Sequence, residues 1–193
     1  MIALVRHGET AANVAGVLLG RADPALTDVG RQQAARLGER FALDPPVRVL
    51  TSPLVRARDT AGAIAQACGL EVVVDDRLVE IDYGSWDELG FADLPREAVT
   101  AWREDPAFTP PGGESLEAVQ ARVADLCTEL LATGEAAVAV SHVSPIKAAV
   151  AWAIGADAGV SWRLRLDLSS VSRVAGTPGA PMLLSFNETG HLD

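Results

Sequence analysis

The sequence predicts an α/β fold, a three-layer α/β/α sandwich around a mainly parallel sheet. Two observations predict it. Short continuous apolar runs (Ile2–Val5, Val47–Thr51, Val72–Val74 and Ala136–Val140) read as strands buried on both faces. Between them lie stretches whose apolar residues recur every three or four positions, the period of a helix lying on a sheet. In such sheets ligands bind beyond the carboxyl ends of the strands. Polar residues at those ends therefore carry a functional expectation.

The elements follow in order. Ile2–Val5 is the first strand, and Thr10–Pro24 reads as a loop or broken helix. Thr27 or Asp28 caps a helix to about Ala42, with Gly30, Ala34, Leu37 and Phe41 at helical spacing. After the strand Val47–Thr51, Ser52-Pro53 reads as N-cap and first helical residue. That helix places Leu54, Ala57, Ala61, Ile64 and Cys68 on one face and stops at Gly69. Val72–Val74 is the third strand. From Asp75 to Gly113 the pattern is irregular, with helical pieces around Leu94–Glu104. Ser115 opens a long helix through Leu116, Val119, Val123, Leu126 and Leu130. Ala136–Val140 is the next strand, Ser144-Pro145 repeats the N-cap signal, and the helix ends near Gly155. Arg163–Leu168, Val171–Ala175 and Pro181–Phe186 are expected as late, partly antiparallel strands.

Composition narrows the function. The 193 residues, 49% hydrophobic, are expected to form one domain, residues 1–193. A formal net charge of −10 argues against nucleic acid and anionic membrane as partners, because both are held by clustered Lys and Arg. Of the sixteen basic residues only Lys147 is a lysine. Cys68 and Cys127 make no metal or redox spacing and fall at apolar helix positions, so core packing is expected for both. Met1–Val5 is too short for a signal segment and Ala148–Ile154 too short to span a bilayer, so a cytoplasmic protein is expected.

The chemistry converges on the strand ends. His7 follows the first strand, and His142, in VAVSHVSPIK, follows the strand Ala136–Val140. An imidazole is a nucleophile toward phosphorus when neutral and correctly oriented. Arg6 adjoins His7, and Arg56 lies in the first turn of the helix after Val47–Thr51. Arg58 stands about 200° further around that helix, so the two cannot point into one pocket. A helix N-terminus and guanidinium groups meeting at a strand end suit a phosphate.

RHGET with Asn13, GRADPALTDVG, SPLVRARDTA, LVEIDYGSW, PGGES, VSHVSPIK and FNETGHL, in this order from residue 2 to about residue 192, resemble the histidine phosphatase superfamily, the phosphoglycerate mutase-like group. The resemblance implies that His7 becomes phosphorylated. It implies that Arg6, Arg56 and His142 complete the phosphate pocket and that Asn13 contacts the transferred group. Glu80 matches a carboxyl proton donor, Gly20 and Arg21 a segment near the substrate, and Glu114 with Ser115 a polar turn at the entrance. Val143 stands where glycine is frequent in the family; its N–H remains on offer while its side chain narrows the room. Lys147 stands where an arginine is common. The flanking Val79 and Ile81 favour a raised Glu80 pKa, and the cationic pocket opposes it. No cofactor or metal is expected.

The same pocket serves a phosphatase, where water attacks the phosphohistidine, and a mutase, where the group returns to substrate. The compact stretch between Trp86 and Gly113 and the ending FNETGHL resemble the phosphatase branch. The expected function is hydrolysis of small phosphorylated metabolites; the alternatives are phosphoglycerate mutase-type transfer and a non-catalytic phospho-ligand binder. A dinucleotide enzyme is disfavoured, since no G-x-G-x-x-G follows the first strand. Trp86, Phe91, Trp102 and Phe108 are expected mainly as core, with one or two capping the pocket.

Overall fold

The apolar runs become strands. In the computed structural model, which describes Met1–Asp193, β1 (Ile2–Arg6), β2 (Arg48–Thr51), β3 (Val72–Val74) and β4 (Ala137–Ser141) pair in parallel. β5 (Val171–Thr177) and β6 (Ala180–Glu188) add an antiparallel hairpin, giving one six-stranded sheet of order β3-β2-β4-β1-β5-β6. β4 is inserted between β1 and β2, so the carboxyl ends of these three strands lie side by side.

The helices are α1 (Ala11–Ala15), α2 (Asp28–Ala42), α3 (Val55–Cys68), α4 (Arg96–Glu104), α5 (Leu116–Thr133) and α6 (Val143–Ala153). Side chains alternate across a strand, and two cores follow from that. Ala3, Val5, Val49, Val138 and Val140 face α2 and α3, meeting Leu37, Phe41, Ala61 and Ile64. Ile2, Leu4, Leu50, Ala137 and Ala139 face α5 and α6 in the larger core, which includes Cys127. Leu37 has no exposed surface, so its truncation to alanine costs about 2–5 kcal/mol.

Three local readings need correction. Arg163–Leu168 is not a strand: a 3-10 turn covers Ala158–Arg163, and the following backbone is bonded by side chains rather than a ladder. Leu166 O accepts from Arg6 Nη1 (2.6 Å), and the Asp167 N–H is donated to Asn187 Oδ1 (2.7 Å). Ser52-Pro53 does not start α3. The helix begins at Val55, its N-cap Leu54 offers no side-chain bond, and the remote Asp23 carboxylate accepts the Val55 N–H at 2.9 Å. α6 likewise begins at Val143 after His142, ahead of Ser144-Pro145, and a remote carboxylate from Glu80 takes its first N–H groups. Both helices aim their N-termini at the carboxyl edge of the sheet without a local cap. The segment Thr10–Pro24 resolves into α1, closed by a Thr10/Asn13 capping box and by Gly16 at φ 71°, and a loop.

Candidate active site

β1 ends at Arg6-His7-Gly8, and the glycine explains the sharp exit. A Cβ on Gly8 would lie 2.4 Å from Gly30 O, and one on Gly30 would lie 2.1 Å from Glu9 O. The first turn of α2 thus crosses the strand end at backbone contact. His7 is 2% exposed. Its Nδ1 lies 2.7 Å from Gly8 O, which can only accept, so Nδ1 carries the proton and Nε2 carries the lone pair. Burial, then the charges of Arg6 and Arg56, hold its pKa well below the ordinary histidine value. The imidazole is therefore neutral.

His142, fully buried, sits beside it with ring centroids 5.0 Å apart. Burial, then His7 and the two arginines, keep it neutral as well. Its Nε2 is 2.7 Å from Ser52 Oγ, and its buried Nδ1 has no protein partner. With the hydroxyl donating to Nε2, the Nδ1–H is left for a ligand. Arg6 Nε and Arg56 Nε are also buried without partners. Three buried nitrogens without protein partners have the chemistry to take an oxyanion; of their residues Arg6 lines the polar cavity, while Arg56 and His142 lie behind its lining.

Arg56 has no exposed surface, whereas Arg58 is exposed, as the helical angle requires. The Arg56 guanidinium donates to Ala22 O (2.7 Å) and Gly20 O (2.9 Å) and pairs with Asp23 at 3.5 Å. Gly20 and Arg21 do not line the polar cavity. Gly20 holds Arg56, and the half-exposed Arg21 side chain pairs with Glu114 at 3.6 Å. Glu114 is itself bonded to Arg122, and Ser115 caps α5.

The cavity, about 210 Å³, is walled by Arg6, His7, Asn13, Glu80, Tyr83 and Val143 among others. Asn13 Oδ1 accepts from Thr10, which leaves its amide N–H groups for the cavity. Glu80 is 3% exposed. Burial raises its pKa; the Ile81 N–H, the Arg56 charge and the Ser144 N–H oppose that. Oε1 accepts from Ile81 and Ser144, while Oε2 accepts only from Val143 (3.0 Å) and keeps a position for a proton. This corrects the expectation for Val143: the residue lines the cavity, but its N–H is already donated to Glu80.

Ser52, Tyr83 and Asp87 escaped the sequence reading. Asp87 accepts the N–H groups of Gly20 (2.7 Å), Arg21 (2.9 Å) and Ala22 (2.8 Å), locking the loop whose carbonyls hold Arg56. The FNETGHL tail works from behind. Asn187 clasps Asp167, and His191 lies 3.0 Å from Ser169 O, in the turn whose Ser169 N–H is donated to His7 O. No group of three or more His, Cys, Asp or Glu side chains is placed to hold a metal ion. No helix is long and apolar enough to cross a membrane.

This sheet order, with its histidines and arginines at the ends of β1, β2 and β4, defines an α/β protein of the phosphoglycerate mutase-like class. The profile of the histidine phosphatase superfamily (branch 1) matches residues 2–189, and the chain belongs to that superfamily. It is 41% identical over 196 residues to the bifunctional protein Rv2228c of Mycobacterium tuberculosis, covering 98% of this chain and 54% of that protein. The chain thus spans about half the length of the mycobacterial relatives it matches. It is 33% identical over 195 residues to phosphoserine phosphatase 1 of Hydrogenobacter thermophilus, covering 98% of this chain and 92% of that protein. Among solved structures, a mutant phosphoserine phosphatase from Entamoeba histolytica in complex with phosphoserine superposes with a TM-score of 0.92 at 28% identity, covering 100% of this chain and 98% of that one.

Proposed function

We propose that residues 1–193 form one domain that hydrolyses phosphate monoesters of small metabolites through a phosphohistidine at His7. The observation that carries this reading is the His7 tautomer: Nδ1 is bound to Gly8 O and the neutral ring leaves Nε2 as a nucleophile beside the oxyanion site. Nε2 attacks phosphorus as the ester P–O bond breaks. Arg6, Arg56, the His142 Nδ1–H and the Asn13 amide receive the charge on the equatorial oxygens. The Glu80 proton goes to the leaving oxygen. Water then attacks, the N–P bond breaks, and the water proton returns to Glu80. Relatives named phosphoserine phosphatase support the phosphatase reading; a relative named probable phosphoglycerate mutase GpmB, 37% identical over 180 residues, keeps mutase-type transfer as the alternative.

The test is rapid quench with a ³²P-labelled ester followed by base-stable phosphopeptide mapping. Label is expected on the peptide containing His7 and absent from His7→Ala. Label on His142, or turnover in His7→Ala at the wild-type rate, overturns the assignment.

A further inference from the structure

Beside the polar cavity lies a second cleft that is chemically unlike it. Leu18, Tyr83 and Val143 line both. Beyond them the walls are Phe91, Trp102, Leu116 and Trp162, and seven of the ten lining residues are hydrophobic. Trp102 and Trp162 meet edge to face with centroids 4.7 Å apart. The Arg103 guanidinium braces the outer wall from behind, 5.5 Å from the Phe91 ring and 5.4 Å from Trp162.

We infer that this cleft receives the leaving group of the substrate, and that the preferred substrates are phosphate esters of alcohols carrying an aromatic ring. The inference rests on the phosphatase reading for the position of the phosphate, and on the cleft itself for the ring.

Three features select that class. The walls offer aromatic faces and edges to a ring. No carboxylate lines the cleft, and its one charged group is Lys147, half-buried one helical turn after Val143 and without an ion-pair partner. A leaving group bearing an ammonium therefore meets a like charge and no counter-ion. Three groups of the lining residues are buried without a protein partner, the Ser161 hydroxyl and the indole N–H groups of Trp102 and Trp162, and these leave hydrogen bonds for polar substituents on the ring. The cleft measures about 90 Å³. That is less than the roughly 150 Å³ of a closed apolar cavity that holds benzene, so the cleft takes one face or edge of a single ring rather than enclosing it.

The experiment separates binding from turnover. Calorimetric titration compares 2-phenylethylphosphonate, which cannot be hydrolysed, with propylphosphonate and 2-aminoethylphosphonate. The phenyl compound is expected to bind at least about tenfold more tightly than either, from burial of the ring. Trp162→Ala should reduce that ratio several-fold. Phe91→Ala, at a position already 37% exposed, is the companion variant that folds if the tryptophan replacement does not. Equal affinity for the three phosphonates, or an unchanged ratio in both variants, overturns the cleft assignment. Hydrolysis of 2-phenylethyl phosphate is measured in parallel. Ring-selective binding without hydrolysis keeps the cleft and sinks the phosphatase reading, and hydrolysis without ring selectivity does the reverse.

Discussion

Arg56→Ala set against Arg58→Ala tests how the phosphate site is built. The two arginines are two residues apart on α3, yet one is fully buried and the other exposed. Removing the Arg56 side chain leaves Gly20 O and Ala22 O without donors, at former distances of 2.9 and 2.7 Å. Hydrogen bonds to a charged group contribute about 1.5–3 kcal/mol each. Breaking a buried charged network by deleting one partner costs about 3–5 kcal/mol. For a chain of this size that is a drop in Tm of roughly 6–20 °C. The loss of one oxyanion donor lowers kcat by about 10²–10³. Arg58→Ala should stay within about 0.5 kcal/mol and leave turnover unchanged.

The assays are thermal unfolding by circular dichroism, and kcat/KM on an aryl phosphate at a temperature where all variants are folded. Arg56→Lys separates charge from geometry. Its compact ammonium cannot fork to both carbonyls, so it should recover part of the stability and less of the activity. Equal losses for Arg56→Ala and Arg58→Ala, or a wild-type Tm for Arg56→Ala, would refute the placement of this arginine between loop and phosphate.

Three further outcomes follow from the geometry. Glu80→Gln should slow hydrolysis of an alkyl phosphate far more than that of an aryl phosphate, whose leaving oxide needs little acid; equal losses would make Glu80 a positioning group. Asp87→Ala leaves three loop N–H groups without their acceptor, so kcat should fall through Arg56 although Asp87 does not line the cavity; Arg56 turnover effects and Asp87 effects should then be non-additive in the double variant, and strict additivity contradicts the relay. Acid should destabilise the fold. His7 and His142 have folded pKa values well below 6.5, so the unfolded chain binds more protons as pH falls through 6.5. The stability present above pH 6.5 is then lost at up to about 2.7 kcal/mol per pH unit for two protons. Glu80, raised above 4.5, acts oppositely: its contribution is full below 4.5 and fades as pH rises, which offsets part of that slope. Urea midpoints that stay flat from pH 7 to 5.5 would contradict the buried neutral pair.

What was legible in the sequence was what local periodicity encodes. The apolar runs marked the four parallel strands, and the helical angle alone separated Arg56 from Arg58. What escaped was carried by contacts between distant positions. Ser52 reads locally as an N-cap, but its hydroxyl is turned to His142, 90 residues away. Asp87 reads as a surface carboxylate, and its partners lie 65 to 67 residues earlier. The alternation Arg163, Leu164, Arg165, Leu166 has strand character, but Arg6 and Asn187 claim the backbone that a ladder would use. The aromatic residues of the irregular segment split as no periodicity could foretell. Trp86 and Trp102 are buried in the core with Phe108 packed against it, and Trp102 also lines the cleft together with the exposed Phe91.

The uncapped helix starts tie folding to the proposed chemistry. α6 begins at the cavity with its N–H groups bare of any local side chain, and the Glu80 carboxyl serves as their cap. Those N–H groups and the helix dipole favour the ionised carboxylate, whereas burial favours the acid. The balance between them turns on the charge in the cavity. A phosphate ester dianion held by Arg6, Arg56 and the His142 Nδ1–H neutralises the cationic field that favours ionisation and adds a negative charge of its own. Both changes push the Glu80 proton on, toward Oε2, the oxygen with only one backbone donor. In the proposed reaction, substrate binding thereby arms the acid, and departure of the dianion after hydrolysis disarms it. A cap supplied by a neighbouring Ser or Asp in the chain would satisfy α6 equally well, but it would leave the carboxyl without this link between helix, phosphate and proton.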